Sequence, residues 1–557
     1  MNKIIKNIAL ATAFVAATSS CNDVLDINDT STFGDVAVWS TQKNADAYVT
    51  AAYKTFNDQS NVYVRERYYD NYSDLMKSPY WWVYPFNQAL LDPSKFSKGS
   101  SSLFDCWEQA YGRIKRTNLM LNDLDRYGKK WGDEWHNIRR AEGRFCNAIN
   151  YFFLARVYGG VVLRTDRSGG GGWLDDGAYE SDRNRARITE EETYDYILSE
   201  LQWAADNLPE EWPEEWEGRA TKGVAYAFIS RIALFAQKWD VAAKAAEECA
   251  KYYELAPDYT QLFDVNSKQD NSKEIIFSIK GAKNVVKNGF DGDNRPFGDR
   301  AACRTTTYAM AVPTAELVDM YEFKDGTPFD WNTWNAEHAD PYTDREPRFH
   351  ATVLYNGCKW EGRTIETFVG GTDEITEFSE TEDADGHTVT GYYLRKYLQE
   401  GNKSFPTEGS YNTDIVIRYA EVLLNKAEAY AMLGNTTEAL KALNEVRARV
   451  NLPEKTVKDA MTTDDFMALL RHERCVELAG EGLRIWDLRR WRLAESVING
   501  QSAHGHKITK NADGTFNYTT VDVDAGRKRI FLPHYYYLSL PSSEIAQNAL
   551  CKDNPIW

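Results

Sequence analysis

The chain lacks the cysteine and histidine patterns of a disulfide framework or a metal site. Its 557 residues include eight cysteines, but none forms a Cys-x-x-Cys motif and their scattered spacing shows no pairing. The eight histidines contain no His-Glu-x-x-His motif, the usual sign of a zinc enzyme. We therefore expect no metal and no cofactor, and we expect most cysteines to be small buried hydrophobic residues.

Long hydrophobic runs and positive charge are also scarce. Beyond the N-terminus no run of about 18 apolar residues occurs, so no transmembrane helix is expected. The 65 Lys and Arg residues are outnumbered by 83 Asp and Glu residues, which gives a net charge of −18. This charge repels phosphate backbones, so nucleic acid is a poor partner and a neutral ligand fits better. A local basic patch of Arg183, Arg185 and Arg187 fits either a solvated face or a site for uronic acids.

The first 20 residues have the features of a secretory signal. Lys3 and Lys6 precede an apolar stretch at residues 8–17, and small residues then lead directly to Cys21. A cysteine at this position predicts lipidation, which would make Cys21 the new N-terminus and hold the protein at a bilayer. The alternative is an ordinary secretory signal with a chance cysteine, since lipoprotein signals usually carry Leu where this chain has Thr18.

Helical periodicity recurs along the chain after this signal. Apolar residues share one helical face in four segments, namely 41–56, 103–127, 135–158 and 191–208. The clearest helix pair spans residues 415–450, where Gly434 ends one helix and Ala427 and Ala439 allow a close approach between the two. A weaker pair spans residues 221–253. Such tetratricopeptide-like pairs need neighbours to bury their faces, so we expect the helices to stack into one superhelical block.

Long irregular segments separate these helices. They span residues 76–102, 164–187, 280–307, 332–409 and 499–529. Loops of this length are functional or disordered, and recognition commonly resides on them. The expected fold is all-α, a tetratricopeptide-like helical-repeat scaffold with long irregular loop excursions. We assign residues 1–20 to the signal peptide, 21–35 to a tether and 36–557 to one folded body, with main excursions at 280–409 and 499–530.

Aromatic residues are abundant, at 13% of the chain, and by their number most must lie in the core. Exposed rings, in contrast, stack on the C–H faces of sugar rings. One segment concentrates five aromatic residues within seven positions, namely Tyr80, Trp81, Trp82, Tyr84 and Phe86. Pro79 and Pro85 stiffen it, and Asn87 and Gln88 are able to hydrogen-bond sugar hydroxyls. The alternative is a small hydrophobic core beneath this loop.

The clearest family signature lies at residues 471–491, which read RHERCVELAGEGLRIWDLRRW. Further matching segments are GRATKGVAYAF from residue 218, DREPRF from residue 344, TGYYLRKY from residue 390 and IVIRYAEVLLNKAEAY from residue 415. On these segments the chain resembles the SusD/RagB family of outer-membrane nutrient-binding lipoproteins, over nearly all of its mature length. Near the C-terminus it departs from the family, because Leu538, Ser539, Leu540 and Pro541 stand where the family often has Pro-Ile-Pro.

This resemblance implies a helical protein attached by lipid at Cys21 to the outer face of the outer membrane. It also implies a SusC-like TonB-dependent transporter as partner, over which family members act as a hinged lid, and an oligosaccharide or polysaccharide as ligand. Family members have no catalytic activity. Some bind peptides or other nutrients, so a binding lipoprotein for peptides or another non-sugar nutrient is the alternative.

In the family, ligand-contacting aromatic residues commonly sit in the early loop that contains Tyr80. The predicted glycan-binding residues are therefore Tyr80, Trp81, Trp82, Tyr84 and Asn87, with Phe290, Phe297 and Trp360 from other long loops.

Acidic residues offer two further interpretations. Glu473 and Glu477 lie one helical turn apart, as an acid/base pair would, but we favour a scaffold role and predict no catalytic residues. We expect nearby arginines to neutralise them, namely Arg474, Arg484, Arg489 and Arg490. The acidic segments 291–299 and 372–386 offer oxygen ligands for calcium without the spacing of an EF-hand, and they fit solvated loops better.

Overall fold

The computed structural model describes residues 35–57, 67–80, 85–98, 104–165, 184–264, 272–331, 334 and 340–557. The longer helices are α1 (Gln42–Thr50), α2 (Trp107–Tyr127), α3 (Asp133–Tyr158), α4 (Glu190–Asn207), α5 (Lys222–Phe235), α6 (Trp239–Cys249), α7 (Tyr419–Met432), α8 (Thr436–Arg449) and α9 (Thr463–Leu478). Shorter helices are Asp35–Val38, Lys54–Asn57, Pro85–Leu91, Phe290–Asn294, Arg300–Cys303, Ala315–Met320, Pro347–Thr352, Phe405–Glu408, Arg484–Arg490, Ala494–Ile498 and Ser542–Gln547.

Strands in the described part of the chain are short and pair in antiparallel twos. They are β1 (Met76–Lys77), β2 (Ile275–Ile279), β3 (Val312–Pro313), β4 (Val353–Leu354), β5 (Lys359–Trp360), β6 (Arg363–Thr364), β7 (Tyr393–Leu394), β8 (Asp414–Arg418), β9 (His504–Lys510) and β10 (Phe516–Asp522). The pairs are β1 with β3, β2 with β8, β4 with β7, β5 with β6 and β9 with β10.

Successive long helices pack against one another and form the predicted stack. Contacts run from α2 to α3, onward through α4, α5 and α6, and then from α6 to α7, although 169 residues separate α6 from α7 in sequence. Ala427 and Ala439 are fully buried where α7 meets α8, and Ser230 and Ala242 are fully buried where α5 meets α6. The tetratricopeptide-like pairs and the mostly helical fold class are confirmed.

Local sequence sets the ends of these helices. Thr189 caps α4, because its hydroxyl accepts from the backbone N–H of Glu192 while the Glu192 carboxylate accepts from the Thr189 backbone N–H. Asn435 likewise caps α8 after Gly434, whose φ of 78° ends α7. The segment 415–418, predicted as helix, forms strand β8 instead, since Ile, Val and Ile are well suited to pairing with β2.

The first long excursion leaves the helical stack and returns to it at one two-stranded sheet. Ile279 at the end of β2 pairs with Asp414 at the start of β8, so the residues between them project from a single point. They build a second hydrophobic core that contains Phe290, Tyr342, Phe349 and Tyr392. Val476 of α9 belongs to this second core, whereas Leu470 of α9 belongs to the helical core. Helix α9 therefore joins the two cores.

The second excursion contains a regular hairpin, which corrects the prediction of an irregular segment at 499–530. Strand β9 pairs with β10 from His504 opposite Asp522 to Lys510 opposite Phe516. The turn is stabilised by Asp513, whose carboxylate accepts from the Thr515 backbone N–H, and by Gly514, whose φ is 91°. The alternating residues of β9 and β10 are typical of a half-buried strand pair.

The predicted local neutralisation of Glu473 and Glu477 is wrong, because their partners come from distant segments. Glu473 pairs with Arg348 and Arg447, and Glu477 pairs with Arg418, Arg348 and Arg449. The nearby arginines have other partners: Arg474 pairs with Asp487, Arg484 with Asp74, and Arg490 with Glu428 and Asp487, while Arg489 donates to the Tyr536 carbonyl. Nearness in sequence did not predict these ion pairs. Side chains four residues apart lie on the same face of a helix, and they pair with whichever elements pack on that face.

Burial disfavours the charged form of Glu477, yet Arg449, Arg418 and Arg348 outweigh this cost and hold its pKa well below the usual value. A general acid at neutral pH needs the opposite shift. The charged signature is therefore a buried ion-pair network that fixes α9 in place.

The described cysteines Cys106, Cys146, Cys249, Cys303, Cys358, Cys475 and Cys551 are all buried and unpaired, as predicted. Across the described ranges, no helix combines the length and the apolarity that crossing a bilayer requires. Within the same ranges, no three His, Cys, Asp or Glu side chains converge as a metal site would require.

Candidate ligand-binding surface

Tyr80 is held firmly at the point where the aromatic segment begins. Its side chain is 2% exposed, and its hydroxyl accepts from the backbone N–H of Gly386 at 3.0 Å. Burial raises the pKa of this hydroxyl far above its ordinary value, so it remains protonated. Tyr80 therefore fastens the start of the aromatic segment to the loop that contains Gly386.

Gly386 permits this close approach. Its φ is 79°, and a Cβ atom at this position would meet the carbonyl oxygen of Thr307 and the guanidinium of Arg300. The glycine thus lets three segments meet, those around Tyr80, Thr307 and Gly386. Adjacent to Thr307, Tyr308 lies on the surface with 41% of its side chain exposed. Its ring meets the Tyr80 ring edge to face at 6.2 Å.

Charged and aromatic groups surround these two tyrosines. Arg300 donates to the exposed carboxylate of Asp385 at 2.9 Å and to the carbonyl of Thr307 at 2.7 Å. The half-buried ring of Phe297 stacks on His387 at 3.8 Å, and the Arg300 guanidinium lies 4.5 Å from the centre of that ring. We call Tyr80, Phe297, Arg300, Tyr308, Asp385 and His387 the candidate surface.

A buried ion-pair network supports the candidate surface from below. Arg363 pairs with Asp299 at 2.8 Å and with Asp373 at 2.6 Å. Asp373 also accepts from the backbone N–H of Gly298 at 2.9 Å, next to Phe297. The acidic segments at 291–299 and 372–386 therefore use their buried carboxylates to bind arginines, and the prediction of solvated loops holds only for their exposed members such as Asp385.

The predicted site residues have different positions. Trp81, Trp82 and Tyr84 lie outside the described residues, as does Cys21. Asn87 belongs to the short helix Pro85–Leu91, where a loop was predicted and where proline at the first position favours a helix. Phe297 belongs to the candidate surface as a half-buried ring, whereas Tyr80, which is 2% exposed, supports that surface from below in place of the predicted ligand contact.

Phe290 and Trp360 have packing roles in place of the predicted ligand role. Phe290 is 5% exposed and packs between Tyr68 and Tyr397 at centroid distances of 6.0 and 6.2 Å. Trp360 is 1% exposed and its indole N–H donates to Asp299 at 2.9 Å. A ligand could reach neither ring face without opening the second core. Their position in long segments misled because these segments have their own hydrophobic core.

Sequence reasoning missed Tyr308, Arg300, Asp385 and His387. The available signal was weak, because each is a single residue in a polar stretch and only the fold brings them beside Tyr80. In the described part of the predicted basic patch, the arginines bond to backbone carbonyls of the protein itself. Arg187 donates to the carbonyls of Gly160 and Tyr158, and Arg185 donates to the carbonyl of Leu163.

The candidate surface combines an exposed aromatic face with hydrogen-bonding groups fixed by their neighbours. This combination favours a polar ligand with flat apolar patches, which is the character of a pyranose ring.

Known proteins are similar to this chain in sequence and in fold. A family model described as the SusD family matches residues 273–557, and one described as "Starch-binding associating with outer membrane" matches residues 23–234. SusD-like protein P38 of Formosa agariphila is 24% identical over 519 residues, which cover 86% of this chain and 91% of the relative.

Two solved structures from Bacteroides fragilis are also similar. A SusD-like protein superposes with a TM-score of 0.77 at 26% identity, covering 94% of this chain and 98% of the other. A SusD-like carbohydrate-binding protein superposes with a TM-score of 0.76 at 25% identity, covering 92% of this chain and 99% of the other. Because the SusD family model matches more than half of its residues, the chain belongs to the SusD family.

Proposed function

We propose that this protein is a cell-surface glycan-binding lipoprotein that captures oligosaccharides and passes them to a SusC-like TonB-dependent transporter. The glycan contacts the candidate surface, with Tyr308 as one stacking ring and with the segment after Tyr80 supplying others from Trp81, Trp82 and Tyr84. Arg300 and Asp385 bind sugar hydroxyls and select among ligands.

The observation that carries this proposal is the position of Tyr308. An exposed tyrosine lies against the buried Tyr80, and Tyr80 directly precedes Trp81 and Trp82 in sequence. Tyr308 therefore lies next to the residue at which the aromatic segment begins. An extended row of rings binds successive sugars of a chain, because each sugar presents an apolar C–H face.

The relatives support a carbohydrate as the ligand class. One similar structure is that of a SusD-like carbohydrate-binding protein, and the family description of the N-terminal half refers to starch binding. The same description refers to association with the outer membrane, which agrees with lipidation at Cys21 and an orientation toward the cell exterior. Membership of the SusD family supports the transporter as partner.

The arrangement supports binding without catalysis. A glycosidase needs two carboxyl groups across a scissile bond, one of them with a raised pKa. Asp385 on the candidate surface is engaged with Arg300, and the paired glutamates of α9 are buried in ion pairs. The role of the candidate surface is therefore recognition.

A calorimetric screen of the purified chain against neutral and acidic polysaccharides tests this function. We expect heat from at least one glycan, and an affinity at least tenfold weaker in the Tyr308→Ala, Trp81→Ala or Trp82→Ala variant, as for a buried aromatic anchor. The matched control is Tyr430→Ala, which removes a partly exposed tyrosine from α7. Binding of peptides but of no glycan would favour the alternative, a lipoprotein for a non-sugar nutrient.

The anchor and the absence of catalysis need separate measurements. Cys21→Ala should abolish surface retention and nutrient uptake while glycan binding by the purified chain stays intact. Prolonged incubation with the bound polysaccharide should release no new reducing ends, and their release would identify a glycosidase.

A further inference from the structure

A cavity of about 470 Å³ opens in the helical scaffold, away from the residues of the candidate surface. It lies among the C-terminal part of α3, the first turn of α4, the end of α5 and the short helix Arg484–Arg490. Arg492, just after that short helix, also lines it. This volume is within the range of small-molecule sites, and its opening to solvent gives a ligand a route of entry.

Cationic side chains outnumber acidic ones in the cavity lining. They are Arg156, Lys238, Arg489, Arg490 and Arg492, against the carboxylates of Glu190 and Glu191. Lys238 pairs with Asp195, and Arg490 pairs with Glu428 and Asp487. These two cations are therefore neutralised by carboxylates outside the cavity.

Arg489 differs from them. Its side chain is 5% exposed, yet among the described residues it has no carboxylate partner. Its Nε and Nη2 atoms donate to the carbonyl of Tyr536, while Nη1 has no hydrogen-bond partner there. A buried guanidinium with an unused donor and no counter-charge is costly for a protein to maintain.

The surroundings make Arg489 a stronger attractor for an anion. Burial lowers its pKa to about 10, with Arg156 and Arg492 contributing by repulsion, so it stays charged at neutral pH. Its guanidinium lies 4.9 Å from the ring centre of Trp486, whose own indole N–H is buried without a partner among the described residues. Both residues line the cavity.

We propose that this cavity is a binding site for the carboxylate group of a small organic acid, with Arg489 as its main anchor. The carboxylate pairs with the Arg489 guanidinium, and the half-buried rings of Phe235 and Tyr537, which line the cavity, cover the body of the ligand. Arg492, exposed at the rim, adds a second positive charge. The site is independent of the glycan proposal, because none of its lining residues belongs to the candidate surface.

A carboxylate of this kind is carried by uronic acids and by peptide C-termini, and matched probes distinguish them. The purified chain is titrated calorimetrically with D-glucuronate against D-glucose, and with N-acetyl-Ala-Phe against its C-terminal amide. We expect at least tenfold tighter binding of the acid in one pair, as for a hydrogen bond to a charged group. Equal affinity for acid and neutral partners in both pairs, or no binding of either acid, would overturn the proposal.

Variants locate the binding. Arg489→Met should lower the affinity for the acid at least tenfold. Arg116→Met, at an exposed arginine of α2, should leave this affinity unchanged. If Arg489→Met fails to fold, the exposed Arg492→Gln replaces it and should weaken the acid about threefold by loss of one nearby charge. Unchanged affinity in the folded variant refutes the site. Glycan binding by Tyr308→Ala is measured in parallel and reports on the other proposal alone.

Discussion

Glu477 near the end of α9 and Arg418 at the end of β8 form an ion pair of 2.6 Å in which both side chains are fully buried. This pair connects the helix that joins the two cores to the sheet from which the first excursion leaves. Additional partners complete it, because Arg418 also pairs with Glu274 and Glu481. The family signature is thus explained as the junction between scaffold and excursion.

Removing one member of this junction should be severely destabilising. Arg418→Met leaves the carboxylates of Glu477, Glu274 and Glu481 short of one positive charge inside the protein, and breaking a buried pair costs about 3–5 kcal/mol. Urea denaturation should show this loss in the free energy of unfolding. The control Lys251→Met breaks an exposed pair with Glu248 and should cost less than about 1 kcal/mol. Similar losses for the two variants would contradict the account.

Gly386 should be required for both stability and glycan binding. Gly386→Ala adds a Cβ against the carbonyl oxygen of Thr307 at a positive φ, so it displaces the loop that receives the Tyr80 hydroxyl. Gly370→Ala is the matched control, because its φ is also positive, at 83°, but nothing lies within 4 Å of the added atom. The control should cost about 1–2 kcal/mol and keep its glycan affinity. Gly386→Ala should lose more stability than the control and should bind the glycan with lower affinity.

Trp360 should matter for folding and not for the ligand. Trp360→Ala removes a fully buried ring and should cost about 3–5 kcal/mol of unfolding free energy. The folded fraction should bind glycan with unchanged affinity, as measured by calorimetry below the unfolding temperature. A loss of glycan affinity with unchanged stability would identify Trp360 as a ligand contact.

The pair of His504 and Glu316 should give one local pH dependence. The hydrogen bond to Glu316 raises the pKa of His504 against the opposing effect of burial, with Asp522 favouring the charged form and Lys528 disfavouring it. Because the folded pKa exceeds the unfolded one, the stabilisation is present below about pH 6.5 and is lost as pH rises through the raised folded pKa.

The destabilisation caused by Glu316→Gln should therefore be larger at pH 5.5 than at pH 8.5, as measured by urea denaturation. In a His504→Gln background this difference should vanish. A destabilisation that is independent of pH would refute the assignment to this pair.

Much of the scaffold could be predicted from the sequence, because the residues that begin, end and pair its helices are close to one another in the chain. The capping box at Thr189 and Glu192 and the glycine after α7 are read directly from neighbouring residues. The partners of Glu477 could not be predicted, since Arg418 lies 59 residues away and only the fold brings it near.

The ligand surface was harder to predict than the scaffold. The segment that begins at Tyr80 could be selected from its density of aromatic residues, although Tyr80 itself is buried. Tyr308 lies 228 residues away in a stretch without periodicity. Phe290 and Trp360 lie in long loops, where aromatic residues suggest ligand contacts, but these loops have their own hydrophobic core and bury both rings. The composition of a segment does not reveal which ring faces are covered.

The most direct test of the central claim is the calorimetric affinity of the purified chain for its best glycan, compared between wild type and Tyr308→Ala. Tyr308 is exposed and makes its ring contact at the edge of Tyr80, so its loss should leave the fold intact. The account predicts an affinity at least tenfold weaker in the variant. An unchanged affinity in a correctly folded variant would contradict it.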